Sequence, residues 1–443
     1  MAASSVRQLA KRFRKGSMGG PGPRGGGRSR SHPQVRCAAG TPERPPTPSG
    51  GPFRRRPTTD PPPEPPHPLQ GYAMPMKTPL RALVIGAGMA GLTAARILED
   101  HGLSARILDK GRVPGGRIST RTSSEGWSMD HGAPFFTARD PAFRRQVEAW
   151  AAAGIAAPWT GRIGYLPRHG DVEPASEATR WVGVPGMRAV PLRMARALDV
   201  RTGVEVAPLV GPAAGGEASA GSGRWVVAGD AYDLVLVTAP PAQASVLLGA
   251  AHPGFAATLA GVGMRPCWAL MLRIRRRGGR PGILPWDALF LKDHPVFRWV
   301  ARDSSKPGRD EDGRAGDPVE SWVLHAAPGW SEHHLEHEDI RVAGTLAAEF
   351  MALVGRLGGK AGGPAVDLLV ETARAHRWRY AAPEDAAAPG EPAHPGRCLW
   401  DAAAGIGVAG DALGGGRVEG AFLSGAALAR EVLVSTGAGS PPR

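Results

Sequence analysis

The chain has 443 residues and a formal charge of +14, with 42% hydrophobic and 21% charged residues, so an extended core can be buried and global disorder is excluded. Its three cysteines, Cys37, Cys267 and Cys398, exclude a disulfide scaffold, and no cluster has the spacing of a metal site. No stretch approaches the roughly 18 consecutive apolar residues of a membrane span.

The charge is unevenly spread. Residues 1–76 hold 13 basic and 3 acidic residues, against 41 and 37 in the rest of the chain. The high pI therefore belongs mostly to a tail, and a nucleic-acid partner for the remainder has little support. The tail is rich in Pro and Arg and has neither helical nor strand periodicity, which predicts disorder. Two readings of it stay open: a transit peptide, with an organellar destination, or a start placed too early, with Met74 or Met76 the first residue of a cytoplasmic protein.

Ala82–Ile85 reads as a buried parallel strand, and a helix follows from Met89 to about Asp100, with Gly102 as its stop. Ala105–Asp109 is a second strand, which completes a βαβ opening. Residues 111–132 read as loop, Asp140–Ala153 as helix, and Gly183–Met187 as a turn before a helix through Ala197. Trp225–Pro240 reads as a hairpin arm running into the apolar strand Leu234–Val237. Residues 246–395 read as mixed short elements, with an acidic Gly-rich loop at 308–317. Gly405–Ala409 is a last strand, followed by Asp411, the turn Gly414–Gly416 and a helix over Val418–Leu433.

Gly86, Gly88 and Gly91 match G-x-G-x-x-G between the first strand and helix. The first glycine permits the tight turn, the second lets a pyrophosphate approach, and the third lets helix and strand pack closely. The helix N-terminus then offers N–H groups to the phosphates. Asp109 ends the next strand, where it can accept a bond from a ribose hydroxyl and would repel a 2′-phosphate. This pattern predicts a bound dinucleotide and does not separate NAD from FAD.

Val113-Pro-Gly-Gly-Arg-Ile-Ser-Thr-Arg121, Met129-Asp-His-Gly-Ala133, Gly407-Val-Ala-Gly-Asp411 and Arg417-Val-Glu-Gly-Ala-Phe-Leu-Ser-Gly425 separate them. Over about 80–435 the sequence resembles the FAD-dependent amine oxidase superfamily, and within it the renalase-like branch. The resemblance implies an α/β fold: a discontinuous Rossmann-type FAD-binding domain at 79–135, 183–245 and 396–436, with an inserted mixed α+β substrate lobe at 136–182 and 246–395. It implies FAD contacts at Gly86, Gly88, Met89, Ala90, Gly91, Asp109, Lys110, Gly116, Arg117, Gly132, Ala133, Val206, Asp411, Val418 and Glu419. It also implies flavin-dependent oxidation by hydride transfer, with a dihydronicotinamide dinucleotide favoured as donor and O2 as acceptor.

The departures matter. The residue ending the second strand is usually Glu in this family and here is Asp109. Pro134 stands where the renalase-like branch commonly has Gln, and Arg417 stands where amine oxidases place an aromatic wall of the substrate cage. Arg417 is therefore a candidate cation beside the flavin. Lys306 and Arg302 are candidates for neutralising a substrate phosphate. His376, Trp378 and Tyr380 fall on one face of a strand and are candidates for lining the flavin cavity, with Arg377 and Arg379 on the other face. Trp268, Trp299 and Trp322 read as core, and Cys267 and Cys398 as buried hydrophobes. An amine or carotenoid-type oxidase, and a flavin protein without turnover, are the rival readings.

Overall fold

The computed structural model describes residues 79–211, 224–277, 282–309, 318–359, 367–384 and 396–438. The basic segment 1–76 and residues 310–317 of the acidic loop lie outside them. In chain order the principal elements are β1 (Arg81–Ile85), α1 (Met89–Asp100), β2 (Ser104–Asp109), α2 (Pro141–Ala152), β3 (Ile163–Leu166), β4 (Glu173–Pro174), α3 (Ala189–Ala195) and β5 (Asp199–Thr202). There follow β6 (Leu234–Val237), α4 (Pro241–Leu248), α5 (Pro253–Ala260), β7 (Met264–Arg277), β8 (Ala288–Leu291), β9 (Phe297–Arg302) and β10 (Val319–Ala326). The chain then forms α6 (Pro328–His333), α7 (Asp339–Gly359), β11 (Asp367–Pro383), β12 (Cys398–Asp401), β13 (Ile406–Ala409), α8 (Asp411–Gly414) and α9 (Arg417–Thr436).

Two sheets organise these elements. The first has six strands in the order β12-β13-β6-β1-β2-β5, all parallel except the edge strand β12. It draws on both ends of the chain: Leu236 of β6 lies opposite Val84 of β1 and also opposite Gly407 of β13. Both faces are covered, which is why β1 and β6 read as continuous apolar runs. Leu92, Leu98, Leu428 and Val432 of α1 and α9 cover one face, and Trp225, Tyr232, Leu248 and Leu259 cover the other. Each such side chain contributes about 1.5–3 kcal/mol by leaving water.

The second sheet has seven strands in the order β11-β7-β10-β9-β8-β3-β4, antiparallel except where β3 joins β8. Helix α7 packs Leu346, Phe350 and Leu353 onto one face, with Phe350 and Trp322 5.1 Å apart. The opposite face turns toward the glycine loops: Trp299 and Ala301 of β9 share one cluster with Met89 and Val418.

Several sequence expectations are refined here. The region read as mixed short elements holds a 14-residue strand, a 17-residue strand and a 21-residue helix. Residues 269–272 of β7 are buried on both faces, so the alternation that marks a half-exposed strand is missing. The helix after Gly183–Met187 stops at Ala195 rather than Ala197. The helix expected over Asp140–Ala153 is α2, with Asp140 as N-cap accepting from Ala142 and Phe143. Among the described residues no helix is long and apolar enough to cross a membrane, and no group of His, Cys, Asp and Glu is placed to hold a metal.

Candidate functional site

The three glycines of the first loop take distinct physical roles. Gly86 has a φ of +114°, and a Cβ on Gly91 would overlap the carbonyl oxygen of Gly86. A Cβ on Gly88 would meet no protein atom within 4 Å. The first and third glycines therefore serve the fold, while the second keeps space open above the helix end. Gly88 is also the N-cap of α1, and no side chain caps that helix. Its positive dipole end and first-turn N–H groups suit phosphate. The N-terminus of α9, capped only by Gly416, is likewise without a side-chain cap. Its backbone at Val418 and Glu419 suits a carbonyl or developing anion. A cradle that a side chain would fill and two uncapped helix ends fit the diphosphate and ring of FAD.

Asp109 does not stand free at its strand end. Its Oδ2 accepts from the N–H of Ala87 and its Oδ1 from the N–H of Gly111, each at 2.6 Å. The carboxylate thus fixes the glycine loop, and the neighbouring Lys110 is exposed. Met89 and Ala90 are buried, and Val206 packs at the margin of the core on the far side of the sheet. Gly116 comes closest to Gly88, and the loop bearing it folds onto Gly132, where a Cβ would overlap Arg117's carbonyl oxygen. Arg117 reaches across 294 positions to Asp411 in a two-toothed ion pair, Nη1 to Oδ2 at 2.9 Å and Nη2 to Oδ1 at 2.6 Å. The structure therefore brings the G-G-R and G-D motifs together, and Ala133 beside them.

Arg417 is exposed, has a left-handed φ of +67°, and lines a small cavity of about 160 Å³ with Arg139, Arg397 and Glu419. It forms no ion pair with Glu419, whose Oε1 accepts from the N–H groups of Arg139 and Asp140 at 2.6 and 2.7 Å.

Lys306 overturns one expectation outright. Its ammonium is fully buried, donating to Asp303 Oδ1 at 2.6 Å and Asp130 Oδ2 at 3.1 Å. Asp130 is further held by Arg309, by Thr120 at 2.6 Å and by the N–H of Met187 at 2.9 Å. Against the cost of burial, the Lys306 and Arg309 charges hold the Asp130 carboxyl down at about 2, whereas burial raises that of Asp303. A cation so engaged cannot neutralise a substrate phosphate. Arg302 is also engaged, by Asp287. Lys306 and Arg302 are thus structural cations rather than substrate ligands.

His376 and Trp378 do meet at a site. Across six neighbouring strands, Tyr165, Phe290, Trp299, His325, Ala269 and His376 lie opposite one another in register, so their side chains share one face. His131 docks on this row: its ring is 4.7 Å from His376 and 5.3 Å from Trp378, whose Nε1 donates to its carbonyl at 2.8 Å. Arg377 and Arg379 point the other way and bind Glu336, as the alternation predicts. Burial lowers the imidazoles of His131 and His325 to about 3, and that of His376 also moves down. His131 Nδ1, His325 Nε2 and Trp299 Nε1 are buried without a hydrogen-bond partner among the described residues. His131, His325 and Asp130 escaped the sequence reading. Two of them sit inside the Met129–Ala133 motif, and alternation along Trp322–Ala326 marks the face of His325.

Comparison with known proteins follows this geometry. Residues 84–150 match a model of the NAD(P)-binding Rossmann-like domain, and residues 168–433 match that of the flavin containing amine oxidoreductases. An L-amino-acid oxidase of Siganus canaliculatus is 42% identical over 59 residues, 13% of this chain and 11% of that protein's length. A hydroxyneurosporene desaturase of Rubrivivax gelatinosus is 40% identical over 67 residues, 15% of this chain and 12% of its own. Cyclohexylamine oxidase from Brevibacterium oxydans superposes with a TM-score of 0.54 at 14% identity, over 81% of this chain and 100% of that one. An oxidoreductase from Methanosarcina mazei gives 0.52 at 13% identity, over 78% and 99%. These short matches and distant superpositions carry the fold, and the family model spans more than half the chain. The glycine cradle, the joined G-G-R and G-D motifs and that match lead to one conclusion: the chain belongs to the flavin containing amine oxidoreductase family, with FAD as its cofactor.

Proposed function

We propose that this enzyme oxidises a dihydronicotinamide-type dinucleotide by hydride transfer, with O2 as the final acceptor, in the manner of the renalase-like branch. One observation carries the reading: the face bearing His325, His376 and docked His131 holds neutral imidazoles among cations. The charges left to act on these three rings are those of Arg121, Arg188 and Arg298, while Lys306 and Asp130 offset one another within the buried ion-pair network. Among the described residues a protonated amine would find no free carboxylate there and would be repelled, whereas an anionic donor is attracted. A dihydronicotinamide gives up hydride without a proton, so imidazoles that stay neutral through physiological pH are no handicap.

Bound FAD would supply the electron acceptor. The chain would hold it through the loop at Gly86–Gly91, the backbone at Gly132 and Ala133, the Arg117–Asp411 pair and the N-terminus of α9. His131, His376 and Trp378 would exclude water and present Nδ1 of His131 to the donor.

A second reading, oxidation of an α-amino acid, draws on the same cationic surroundings, which suit a substrate carboxylate. Anaerobic mixing of the purified yellow enzyme with dihydronicotinamides, L-amino acids and simple amines, followed by flavin absorbance, tests both. Bleaching by dihydronicotinamides alone is expected, with a rate that is flat between about pH 6 and 8 because His131 and His325 titrate far below that range. Rapid bleaching by a monoamine would discard the proposal, and bleaching by L-amino acids would install the second reading.

A further inference from the structure

The geometry points to a second ligand site, apart from the flavin cradle, that binds a phosphorylated organic molecule. A cavity of about 560 Å³ lies between α3, the loop at Val184–Gly186, the ribbon carrying Thr122 and Ser128, and the second sheet. That size suits a nucleotide-sized ligand. Five arginines line it, Arg188, Arg193, Arg196, Arg273 and Arg309, and among the described residues no carboxylate does. Two have counter-charges behind the wall: Arg309 binds Asp130, and Arg273 Nε lies 3.8 Å from Glu371. Arg188, Arg193 and Arg196 form no ion pair among the described residues, and the guanidinium of Arg188 makes only a long contact there, to Ser119 at 3.5 Å.

The other wall is apolar, with the ring of Trp127 and the side chain of Ile155. Clustered guanidinium groups select phosphate or carboxylate, and an aromatic wall selects a flat organic body. Together they describe a ligand such as a nucleoside phosphate rather than a bare ion.

The site is separate from the histidine row. Arg273 and Ser321 share the sheet face of Ala269 and His325 but lie four residues further along β7 and β10, about 13 Å at the rise of a strand. Between them Trp127, Met129, Met271 and Val323 form a closed apolar cluster in which Met129 and Met271 are fully buried. A ligand in this cavity therefore meets the arginines with the apolar cluster between it and His325, and Arg188 is the one lining cation that also acts on His131.

The test is calorimetric titration of the FAD-loaded full chain with ADP, with adenosine as control and flavin fluorescence followed in parallel. Saturable ADP binding is expected without release of FAD, with adenosine binding at least about tenfold weaker. Replacing the two exposed guanidinium groups (R193A with R196A) is expected to weaken ADP by about tenfold or more while FAD content stays unchanged. Absence of saturable ADP binding, equal binding of adenosine, displacement of FAD by ADP, or unchanged affinity in the double variant would each overturn the site. In a further variant Asp310, Glu311 and Asp312 are replaced by their amides. ADP binding seen only there would overturn it too, because the wild-type arginines would then be neutralised from within the chain.

Discussion

The two sheets handle ligands in opposite ways. The parallel sheet is covered on both faces and offers the cofactor backbone: a glycine without a Cβ, two uncapped helix ends, and loops pressed against each other. The antiparallel sheet carries helix α7 on one face, and the other, packed toward the glycine loops, offers side chains, His325, His376 and Trp299, aligned by strand register. Between them lies the buried network of Asp130, Asp303, Lys306 and Arg309. Backbone recognition depends on what is missing from a residue, and side-chain recognition on what its neighbours across the sheet happen to be. The two kinds of site should fail differently when altered.

The largest effect on stability is expected for Gly91→Val, whose side chain would overlap the carbonyl oxygen of Gly86. A loss above about 4 kcal/mol and insoluble or flavin-free protein should follow, read by expression and urea denaturation. Lys306→Met comes next. It leaves Asp130 and Asp303 buried with one cation fewer, at a cost of about 3–5 kcal/mol, and adding Asp303→Asn should restore part of it. A stability near wild type for Lys306→Met would mean that water reaches this network.

The histidines then give a pH signature. Their folded values lie near 3 for His131 and His325 against an ordinary 6.5, so between those limits the unfolded chain binds more protons. Stability should be full above about pH 6.5 and fall as pH drops toward 3, by at most about 1.4 kcal/mol per pH unit for each histidine. His325→Phe should flatten that slope in urea melts at pH 7 and 5. Asp109→Ala removes two charged bonds to loop N–H groups and should cost about 1.5–3 kcal/mol, seen both in melting and as weaker FAD retention. Gly88→Val should be the mildest for the fold, within about 0.5 kcal/mol in flavin-free protein, since its Cβ meets nothing. It should nevertheless abolish FAD binding, and a yellow Gly88→Val protein would remove the cradle assignment.

This contrast also explains what could be read from the amino-acid order. The glycine loop, β1, α1, β2 and the G-D segment are local, and their requirements for small residues are written at fixed offsets. The face of β11 was equally legible, because alternation alone sorts His376 and Trp378 from Arg377 and Arg379. The partners of those residues were not: His325 and His131 come from segments 51 and 245 positions away from His376 in the chain, and the register of β7, β10 and β11 unites the first with it while a loop docks the second. Lys306 misled for the same reason, since Asp130 lies 176 positions from it and turns a seeming ligand cation into part of the core.

Helices α1 and α9 touch through Gly425, where a Cβ would overlap the carbonyl oxygen of Ala90, and Arg117 closes onto Asp411. Both contacts join segments from near the two ends of the described residues, and this has a consequence for biosynthesis. While the ribosome is still translating residues 246–395, the first glycine loop has already emerged, yet neither the strand beside β6 nor the second helix end exists. Half of the cradle must wait, with β6 exposing an apolar edge where β13 will pair, until roughly residue 425 has left the exit tunnel. Contacts across such separations form late and slowly. Capture of FAD is then a closing step of folding, and chains truncated before β13 should emerge colourless and dependent on chaperones, however intact their N-terminal half.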